Sequence, residues 1–589
     1  MSNSPIRLKK EPKAPWRKFY GDIPTTLEYP DCLLYEMVCK TAEKYPNLHA
    51  YEFMGRAASY SELMLKIEDC AKGLKSIGIK ENDVVTICLP NTPQAIIAFY
   101  ALNKIGAIPS MIHPLSAAKE IEFFLEVSGS VMAITLDAFY GKFAEAMGKY
   151  PQQKVIVTSI ADGLGMLKGT AFKFTKGRKI KKLPKNPNIL YWKDLNKSGS
   201  GYYLPTLCNK SGKDVAAILY SGGTTGYTKG IALTNNNFNA LALQLIAFAQ
   251  CLEPGGRMLS IMPVFHGFGL GICTHASLSY GLKCILIPQF NNQTYGKIIN
   301  QYKPNYIAGV PTLFEAMLTT PALKDADLSF LKGIFCGGDS LTIELKKKVD
   351  DFLKRHGCTE QVREGYGLTE CVTGTCLTLR YMNKEGSIGV PLPDNYYKIC
   401  KVGTTKEVPY GEVGEICVCG PENMVGYINY QEENKQVLQK HLDGNTWLHT
   451  GDLGWMDADG FVYFNQRLKR MIISSGYSIY PSQLENIIEA HPAVLSSCVI
   501  GVDDAYKKQK IKAFIVLRSE FAAMYHVETI EKEIKEYCRK NIARYALPHF
   551  YEFRGDLPRT LVGKVAYTVL EEEERAKANA NKNSSVTKN

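Results

Sequence analysis

A run of small and hydroxyl-bearing residues followed by a lysine lies near the middle of the chain. Residues 220–230 read Tyr-Ser-Gly-Gly-Thr-Thr-Gly-Tyr-Thr-Lys-Gly. Glycines allow the backbone to bend and to approach a ligand closely, and consecutive backbone N–H groups in such a loop form a concave anion site. The hydroxyls of Ser221, Thr224 and Thr225 and the charge of Lys229 would add to that site. The run therefore predicts a phosphate-binding loop.

The flanking residues predict which elements hold this loop. Residues 215–220 form a short apolar run typical of a buried strand. Asn235, Asn236 and Asn237 are N-cap candidates for a helix over residues 238–248, so we expect the loop to connect a strand to a helix. The residue orders of a Walker A loop and of a Gly-x-Gly-x-x-Gly fingerprint are both absent. When the run is considered alone, a flexible surface loop is the alternative.

Several other predicted strands end in glycine and polar residues. These strand ends lie at residues 263–269, 306–312, 333–339 and 363–370. In open α/β sheets, ligands bind beyond the carboxyl ends of the strands, so the sequence predicts one long cleft lined by these segments. His266 lies in the first segment, where it could line or gate the cleft or could be a core histidine with a satisfied hydrogen bond.

The composition is that of a folded chain without a membrane span. The 589 residues are 45% hydrophobic and 22% charged, and the net charge of +12 fits anionic ligands or an anionic membrane surface. We find no hydrophobic signal-peptide core and no apolar run long enough to cross a bilayer, so we expect a cytoplasmic protein. The 17 cysteines are scattered without a metal-ligand pattern. Cys417 and Cys419 share one face of a predicted strand, and ordinary strand packing is the interpretation we favour.

A basic segment interrupts the predicted α/β pattern between residues 168 and 185. It contains no Asp or Glu, and its basic residues are Lys168, Lys173, Lys176, Arg178, Lys179, Lys181, Lys182 and Lys185. A solvated surface insertion is the ordinary explanation, and a peripheral membrane contact on anionic lipid is the sharper one. An RNA-binding patch would look similar, but no nucleic-acid-binding module accompanies the segment, so we expect no nucleic-acid partner.

The order of the predicted elements indicates an α/β fold with more than one domain. Strands and helices alternate over residues 83–158, which favours parallel strands. Short strands with tight turns follow over residues 391–463, and a smaller α/β unit comes after them. We therefore expect an N-terminal domain over residues 1–466 and a C-terminal domain over residues 467–570. Residues 571–589 are charged and rich in Ala, Asn and Lys, which predicts a disordered tail.

Taken in order, these motifs resemble those of the adenylate-forming superfamily, which includes acyl-CoA synthetases, firefly luciferase-like enzymes and peptide-synthetase adenylation domains. The matching segments cover most of the chain and are residues 220–230, 263–269, 366–370, 450–452, 467–485 and 558–564. The resemblance implies a large N-terminal domain of α/β sheets with a small β-barrel-like subdomain, and a small mobile α+β C-terminal domain. It implies that ATP and magnesium convert a carboxylic acid to an acyl-adenylate and pyrophosphate. The thiol of coenzyme A would then displace AMP.

The resemblance also implies roles for particular residues. The loop that holds the β- and γ-phosphates would comprise Ser221, Gly222, Gly223, Thr224, Thr225, Gly226 and Lys229. The segments around the adenine would comprise Gly337, Gly338, Asp339, Tyr366, Gly367 and Thr369. Asp452 and Arg467 would bind the ribose hydroxyls. Glu370 and Thr225 would bind magnesium, which characteristically takes one or two carboxylates plus phosphate oxygens.

The same resemblance implies a catalytic lysine and a hinge. Lys564 would reach from the C-terminal domain to the carboxylate and the α-phosphate, and it would act with His266, Thr225 and Glu370. Attack of a carboxylate on a phosphate brings two anions together, so cations and N–H dipoles must offset the growing charge. Lys469 falls at the hinge position, where rotation would replace Lys564 by the Gly476 region for the coenzyme A step.

The expected acid pocket is mostly apolar or small and offers no permanent cation to a second carboxylate. Its residues are His266, Phe268, Gly309, Val310, Pro311 and Thr312, and Gly309 would leave room for a tunnel. Residues 309–314 and the basic segment resemble long-chain fatty acyl members, so we expect a long-chain fatty acid as substrate. The alternatives are a CoA ligase for an aryl or steroid acid, an acyl-AMP ligase that loads a carrier protein, and a nucleotide- or lipid-binding protein without catalysis.

Overall fold

The structure, a computed structural model, describes residues 8–149, 154–221, 228–474, 477–504, 507–519, 521, 527–560 and 564–586. Its strands are β1 (His49–Phe53), β2 (Arg56–Ser59), β3 (Val84–Cys88), β4 (Ile108–Met111), β5 (Met132–Leu136), β6 (Lys154–Thr158), β7 (Ile189–Tyr191), β8 (Val215–Ser221), β9 (Lys229–Thr234), β10 (Arg257–Ser260), β11 (Lys283–Leu286), β12 (Tyr306–Gly309), β13 (Gly333–Cys336), β14 (Val362–Tyr366), β15 (Cys376–Leu377), β16 (Val390–Pro391), β17 (Tyr396–Cys400), β18 (Gly414–Cys419), β19 (Gly426–Tyr427), β20 (Leu438–Lys440), β21 (Thr446–Met456), β22 (Val462–Arg467), β23 (Ile472–Ser474), β24 (Tyr477–Ile479), β25 (Val494–Asp504), β26 (Lys508–Leu517) and β27 (Phe550–Arg554).

The described α-helices are α1 (Leu34–Lys44), α2 (Tyr60–Ser76), α3 (Pro93–Lys104), α4 (Ala118–Ser128), α5 (Tyr140–Ala146), α6 (Met166–Phe174), α7 (Trp192–Gly199), α8 (Asn235–Ala249), α9 (Ser277–Tyr280), α10 (Asn292–Tyr302), α11 (Pro311–Thr319), α12 (Ile343–Arg355), α13 (Gln431–Val437), α14 (Pro481–Glu489), α15 (Val527–Asn541) and α16 (Tyr567–Val586). A π-helix covers Phe268–Ala276. Short 3₁₀ helices cover Pro15–Phe19, Asp137–Phe139, Met147–Lys149, Ile160–Gly163, Lys176–Lys179, Pro321–Leu323, Thr369–Cys371, Leu468–Arg470 and Arg544–Ala546. Among the helices described, none is both long enough and apolar enough to span a bilayer.

Two large sheets dominate the N-terminal part of the described chain. One has eight strands in the order β19-β9-β8-β4-β3-β5-β6-β7, and the other has nine in the order β16-β15-β14-β13-β12-β10-β11-β1-β2. The pairs β3–β4, β3–β5 and β5–β6 are parallel, as the alternation of strands and helices predicts. The pairs β12–β13 and β13–β14 are parallel as well. The predicted small-residue ends of β12, β13 and β14 therefore meet at one edge of the nine-stranded sheet.

The segment that follows the glycine-rich run differs from the sequence-based expectation. β9 pairs antiparallel with β8, so the run connects two strands of a hairpin, and the predicted strand-to-helix connection is wrong. Burial of the alternating Ile231 and Leu233 stabilises β9 as a strand. The N-cap of α8 is Thr234, whose hydroxyl accepts the backbone N–H of Asn237 at 3.2 Å.

The glycines around His266 also adopt a different conformation from the one expected. β10 ends at Ser260, and the expected glycine-rich turn leads directly into the π-helix, which packs against α8. A side chain at Gly267 would place its Cβ 1.6 Å from the carbonyl oxygen of Val372, and one at Gly269 would lie 2.1 Å from that of Pro263. These two glycines are therefore required by close backbone approach.

Two smaller sheets complete the described fold. The predicted β-barrel-like subdomain contains a five-stranded antiparallel sheet, in which β17-β18-β21-β20 are neighbours and β22 pairs with β21. The C-terminal sheet has the order β24-β23-β26-β25, with β27 parallel to β26. α14 and α16 pack against β25, and α15 packs against α14. The C-terminal unit thus has an apolar core of its own, which includes Ile472, Leu484, Val499 and Ile534.

The C-terminal helix differs from the predicted tail. α16 extends to Val586, although the composition predicts disorder from residue 571. Leu570 is fully buried, and the ammonium group of Lys512 lies 2.9 Å from the carboxylate of Glu574. Part of the charge that suggested disorder is therefore paired with the neighbouring sheet.

Candidate active site

A buried carboxylate, that of Asp452, lies on strand β21 next to Arg467 on strand β22. Asp452 is 3% exposed, and its Oδ2 accepts the hydroxyl of Tyr366 at 2.8 Å. The Nε of Arg467, its register partner, lies 3.4 Å from Oδ1, yet within the described part of the chain this Oδ1 has no hydrogen-bond partner. Burial raises the pKa of Asp452, while the charges of Arg467 and Lys564 oppose that rise. The free oxygen fits a hydroxyl donor such as a ribose.

Three glycines keep the space beside this carboxylate open. Gly338 follows β13 with φ +81°, and a Cβ there would lie 3.8 Å from the Cε of Lys564. A Cβ on Gly337 would lie 3.0 Å from the carbonyl oxygen of Gly365, and one on Gly367 would lie 1.8 Å from that of Thr373. Close backbone packing therefore requires glycine at position 367 and favours it at position 337, and all three glycines line a cavity. Asp339, which follows Gly338 in the chain, is exposed.

The C-terminal unit places Lys564 against these glycines. Its backbone is held by two hydrogen bonds with Thr560, because the carbonyl of Lys564 accepts the N–H of Thr560 at 2.7 Å and its own N–H donates to the Thr560 hydroxyl at 3.1 Å. Burial lowers the pKa of Lys564, and the carboxylate of Asp339 opposes that shift. The structure thus brings Lys564, Asp339 and Gly338 together from two separate units of the chain.

His266 lies close to Lys564 and is held neutral. Its Nδ1 accepts the backbone N–H of Phe268 at 3.3 Å, so the ring proton resides on Nε2. Burial, together with the charge of Lys564, lowers the pKa of His266 to about 3. His266 can therefore donate one hydrogen bond from Nε2, and it does not act as a cation near neutral pH.

Glu370 lies beside a group of cations and tyrosines. Its Oε1 accepts the hydroxyl of Tyr427 at 2.9 Å. The ammonium group of Lys229 lies 4.8 Å from the ring centroid of Tyr427 and 5.4 Å from that of Tyr430, within the range of cation–π attraction. Burial and the charges of Lys229 and Arg467 lower the pKa of Lys469. A carboxylate and three cations thus lie near the end of the glycine-rich run, an arrangement that fits a polyphosphate with its metal.

Part of the predicted phosphate loop lies outside the described residues, namely Gly222, Gly223, Thr224, Thr225 and Gly226, and so does Gly476. Of Ser221 the structure describes the backbone, which pairs with that of Lys229. Thr369 is buried at the start of the 3₁₀ helix that carries Glu370.

A deep apolar cavity begins at the glycines of the site. It runs from Gly338 and Tyr366 between α8, the π-helix and the ends of β13 and β14. Its apolar lining comprises Leu245, Ala249, Leu252, Met258, Phe268, Ile272, Ala276, Leu282, Phe335, Cys336, Cys376 and Leu377. The described part of this lining contains no charged side chain.

The expected acid pocket coincides with this cavity at one residue. The structure describes all six expected residues, and only Phe268 lines the cavity. The tunnel expected at Gly309 is wrong, because the side chain of Leu313 occupies that space and would lie 2.3 Å from a Cβ on Gly309.

Comparison with known proteins agrees with this geometry. The AMP-binding enzyme family matches residues 38–428, and the AMP-binding enzyme C-terminal domain matches residues 483–564. The chain belongs to the AMP-binding enzyme family. A long-chain-fatty-acid–CoA ligase of Bacillus subtilis (strain 168) is 34% identical to it, across 95% of this chain and 98% of the relative. A protein of the same description from Yersinia pestis is 31% identical, across 95% and 98% of the two chains.

Solved structures of AMP-binding enzymes share the fold. The Mycobacterium tuberculosis fatty acyl CoA synthetase matches with a TM-score of 0.65 and 25% identity, over 92% of this chain and 99% of that one. The anthranilate CoA ligase AuaEII, solved in complex with anthranoyl-AMP, matches with a TM-score of 0.79 and 22% identity, over 95% and 99% of the two chains. The adenylate-forming fold expected from the sequence is confirmed.

The sequence did not single out two aromatic residues that this AMP-binding enzyme places beside Lys229. Tyr427 is the last residue of the short strand β19, which extends the eight-stranded sheet beside β9, and Tyr430 follows that strand. Their distance from residue 229 in the chain hides the contact with Lys229. The pairing of β19 with β9 brings them together, and no local motif marks it.

Proposed function

We propose that this AMP-binding enzyme activates a fatty acid with ATP and transfers the acyl group to coenzyme A, with release of pyrophosphate and AMP. The observation that carries the proposal is the position of Lys564 and the Asp452 carboxylate at the mouth of a deep apolar cavity. The names of the relatives from Bacillus subtilis and Yersinia pestis support the same substrate class.

In the first half-reaction, a carboxylate oxygen of the acid attacks the α-phosphorus of ATP. The new C–O–P linkage forms as the bond between the α-phosphorus and the bridging oxygen breaks, and pyrophosphate leaves. The ammonium group of Lys564 offsets the negative charge that gathers at the attacked phosphate. His266 donates from Nε2 towards the carboxylate, and Asp452 Oδ1 accepts a ribose hydroxyl.

The carboxylate of Glu370 is suited to hold Mg²⁺, which favours hard oxygen ligands and phosphate oxygens. When bound, Mg²⁺ neutralises charge on the leaving pyrophosphate. Lys229, which stacks on Tyr427 and Tyr430, orients the same phosphates from the protein side. The assignment of Thr225 and the glycines of the loop to these phosphates rests on the family resemblance.

In the second half-reaction, the thiolate of coenzyme A attacks the acyl carbon, the C–O bond to AMP breaks, and AMP leaves. We propose residues 1–466 and 467–570 as the two domains that rearrange between the half-reactions, with Lys469 as hinge. The described conformation, in which Lys564 lies beside Gly338 of the N-terminal domain, suits the first half-reaction. The second requires Lys564 to withdraw and the Gly476 region to approach.

The cavity favours an unbranched apolar acid. Its mostly apolar lining without charged side chains suits a hydrocarbon chain, whereas a second carboxylate would be buried there without a counter-charge. An aryl or steroid acid is the second candidate, and carrier-protein loading is the alternative fate of the adenylate.

The basic segment 168–185 supports a further proposal, contact with an anionic membrane surface. On α6, Leu167 is 88% exposed and Phe174 is 71% exposed, while Lys181 and Lys182 are exposed beyond it. Apolar side chains beside lysines suit insertion at a lipid interface. Lys168 is already engaged, since its ammonium group donates to the carbonyl of Met54 at 3.0 Å.

Vesicle flotation tests this contact. Lys181→Gln with Lys182→Gln should weaken partition onto anionic vesicles by roughly 30-fold, at about 1 kcal/mol for each lysine. The control removes the same charge from the exposed Lys435 and Lys540, which should leave partition unchanged. Equal partition of both double variants would refute the membrane contact.

The enzymatic proposal is tested by pyrophosphate release with ATP and Mg²⁺ over acids from acetate to oleate, with cinnamate and cholate, with and without coenzyme A. We expect a maximum at long chains and turnover that requires coenzyme A. Lys564→Ala should lower adenylation by about 10²- to 10³-fold while ATP binding by calorimetry is retained. Lys540→Ala, on the exposed face of α15, is the control and should keep full activity. Undiminished activity of Lys564→Ala would refute the mechanism, and a maximum at cholate or cinnamate would refute the fatty acid.

A further inference from the structure

A buried group of sulfur, imidazole and carboxylate side chains lies in the five-stranded antiparallel sheet, outside the active site. Cys400 is on β17, Glu415 and Cys417 are on β18, His441 follows β20, and His449 is on β21. All five residues are at most 6% exposed. The adenylation chemistry proposed above uses none of them.

The side chains of this group face one another at ligand distances. The sulfur atoms of Cys400 and Cys417 and one ring nitrogen of His441 all lie within 4.8 Å of each other. His449 contacts both parts of the group, because its Nδ1 lies 3.5 Å from the sulfur of Cys417 and its Nε2 lies 3.0 Å from the Nε2 of His441. Strand pairing sets this arrangement, since β17 and β21 flank β18 on opposite sides.

The hydrogen bonds leave ring nitrogens available. His449 Nδ1 lies 2.9 Å from Oε2 of Glu415, so the carboxylate accepts the Nδ1 proton and leaves Nε2, which faces Nε2 of His441, as the nitrogen that can bind a metal. The other carboxylate oxygen accepts the backbone N–H of Gly451 at 3.0 Å. A carboxylate that accepts from a histidine in this way is the usual support of a metal-binding imidazole. Among the described residues, Nδ1 of the buried His441 has no hydrogen-bond partner.

We infer that Cys400, Cys417, His441 and His449 form a structural zinc site that fastens three strands of this sheet. Two thiolates and two imidazoles are a preferred donor set for Zn²⁺, with distances of about 2.0–2.3 Å to the metal. The ligand atoms of Cys400, Cys417 and His441 lie within 4.8 Å of one another, and those of Cys417 and His449 do so as well. Magnesium prefers oxygen ligands, so the metal of the reaction does not compete for this site. The burial of all four ligands indicates a closed, structural role.

The sequence gives no sign of this site, because its four ligands are 17, 24 and 8 positions apart and match no compact metal-binding motif. The pair that the sequence does bring together, Cys417 and Cys419, contributes one ligand. Cys419 is equally buried on the same strand but is not part of the described ligand cluster. It therefore provides a matched control.

The test measures metal in the full chain, freed of any affinity tag. Elemental analysis should find one zinc per chain after dialysis without chelator. After chelator treatment, Co²⁺ alone should restore thiolate-to-metal charge transfer and the visible bands of a tetrahedral site. Cys417→Ser should abolish zinc and these bands, whereas Cys419→Ser should retain both.

Two further readouts keep the inference falsifiable if Cys417→Ser fails to fold. Cys400→Ser and His441→Gln should each weaken zinc retention at least tenfold in competition with a chromophoric chelator. Zinc added to the chelator-treated wild-type chain should raise Tm, and it should raise Tm less in these variants. Absence of zinc and of any cobalt spectrum in the wild-type chain would overturn the site, as would equal stoichiometry in all variants.

Discussion

The ammonium group of Lys564 and the imidazole of His266 are both buried, and the charge of Lys564 affects the pKa of His266. The charge of Lys564 helps to lower the pKa of His266 to about 3, and burial lowers the pKa of Lys564 itself. His266 therefore remains a neutral donor near neutral pH, and Lys564 titrates closer to neutrality than an ordinary lysine. The pH dependence of adenylation should report Lys564 alone.

We expect kcat/KM for adenylation to fall as pH rises through the lowered pKa of Lys564, because the reaction needs its protonated form. Between about pH 6 and 8 no histidine limb should appear. Lys564→Arg keeps its charge at all accessible pH values, so it should move the alkaline limb upwards even if its maximum rate is lower. The profile is measured by pyrophosphate release, and an unmoved alkaline limb in the arginine variant would contradict this assignment.

Glu422 carries a fully buried carboxyl group, and its contribution to the free energy of unfolding declines as pH rises. It accepts hydrogen bonds from the amides of Asn395 and Gln244, and burial raises its pKa to about 8. Its folded pKa therefore lies above its unfolded value near 4.5. Its contribution is fully favourable below the unfolded pKa and is lost as pH rises towards 8, because the unfolded chain ionises first.

Glu422→Gln should therefore gain stability relative to the wild type as pH rises from 5 towards 8, by at most about 1.4 kcal/mol per pH unit. Thermal melts at several pH values should show the Tm difference between variant and wild type shift in favour of the variant. Glu432→Gln, at an exposed carboxylate on α13, is the control and should give a constant difference. A Tm difference for Glu422→Gln that is independent of pH would refute the raised pKa.

At the scale of secondary-structure elements, the shape of the cavity depends on backbone conformations that no sequence motif predicts. Val372 has φ +62° and is the centre of a γ-turn, in which the N–H of Thr373 donates to the carbonyl of Cys371 at 2.6 Å. This turn is rare and strained for a β-branched residue. It connects the 3₁₀ helix of Glu370 to Thr373 and Gly374, which line the cavity.

The π-helix forms the opposite wall, and Ala276 near its end lines the cavity. Ala276→Phe should fill part of that space and shorten the longest acid accepted. We expect kcat/KM for palmitate to fall about tenfold or more, while octanoate is activated nearly as well as by the wild type, because loss of contact for several methylenes outweighs one added ring. The acid series and a Tm check the result, and an equal loss for both acids would point to damage of the fold.

The sequence predicts many of the strands and helices, but it does not predict which residues line the apolar cavity. The parallel strands and their small-residue ends follow from short apolar runs bounded by glycine, as Gly337 and Gly338 illustrate. The lining residues Leu245 and Ile272 are apolar in apolar segments, and nothing local distinguishes a residue beside empty space from one in a packed core. The hairpin of β8 and β9 was not predicted because β9 directly precedes a strong helix signal.

At the scale of the whole molecule, an ion pair joins the two proposed domains. The Nη2 of Arg559 lies 3.4 Å from the Oε2 of Glu315 on α11, near the segment that carries Lys564. Burial raises the pKa of Glu315, and Arg559 opposes the rise. The pair belongs to the conformation in which Lys564 contacts the N-terminal glycines.

Arg559→Gln and Glu315→Gln should each slow adenylation about two- to fivefold, the range expected for a partly exposed pair. The double variant should be no slower than the singles, and acyl transfer from isolated adenylate should be unaffected. Single-turnover measurements separate the two steps. Lys332→Gln, which breaks an ion pair with Glu253 inside the N-terminal part, is the control. Additive losses, or equal losses in both steps, would contradict a role in docking.

Every described residue that lines the apolar cavity lies between 245 and 377, so the described part of the proposed C-terminal domain contributes nothing to the wall around the acyl chain. The acyl chain of the adenylate thus stays bound in the cavity while the residues around its acyl phosphate are exchanged between the two half-reactions. Escape of the acyl-adenylate should slow about fourfold with each added methylene, since each contributes about 0.8 kcal/mol on burial. Long substrates would then be processed with almost no abortive release, whereas short ones would be lost to solvent between the two steps.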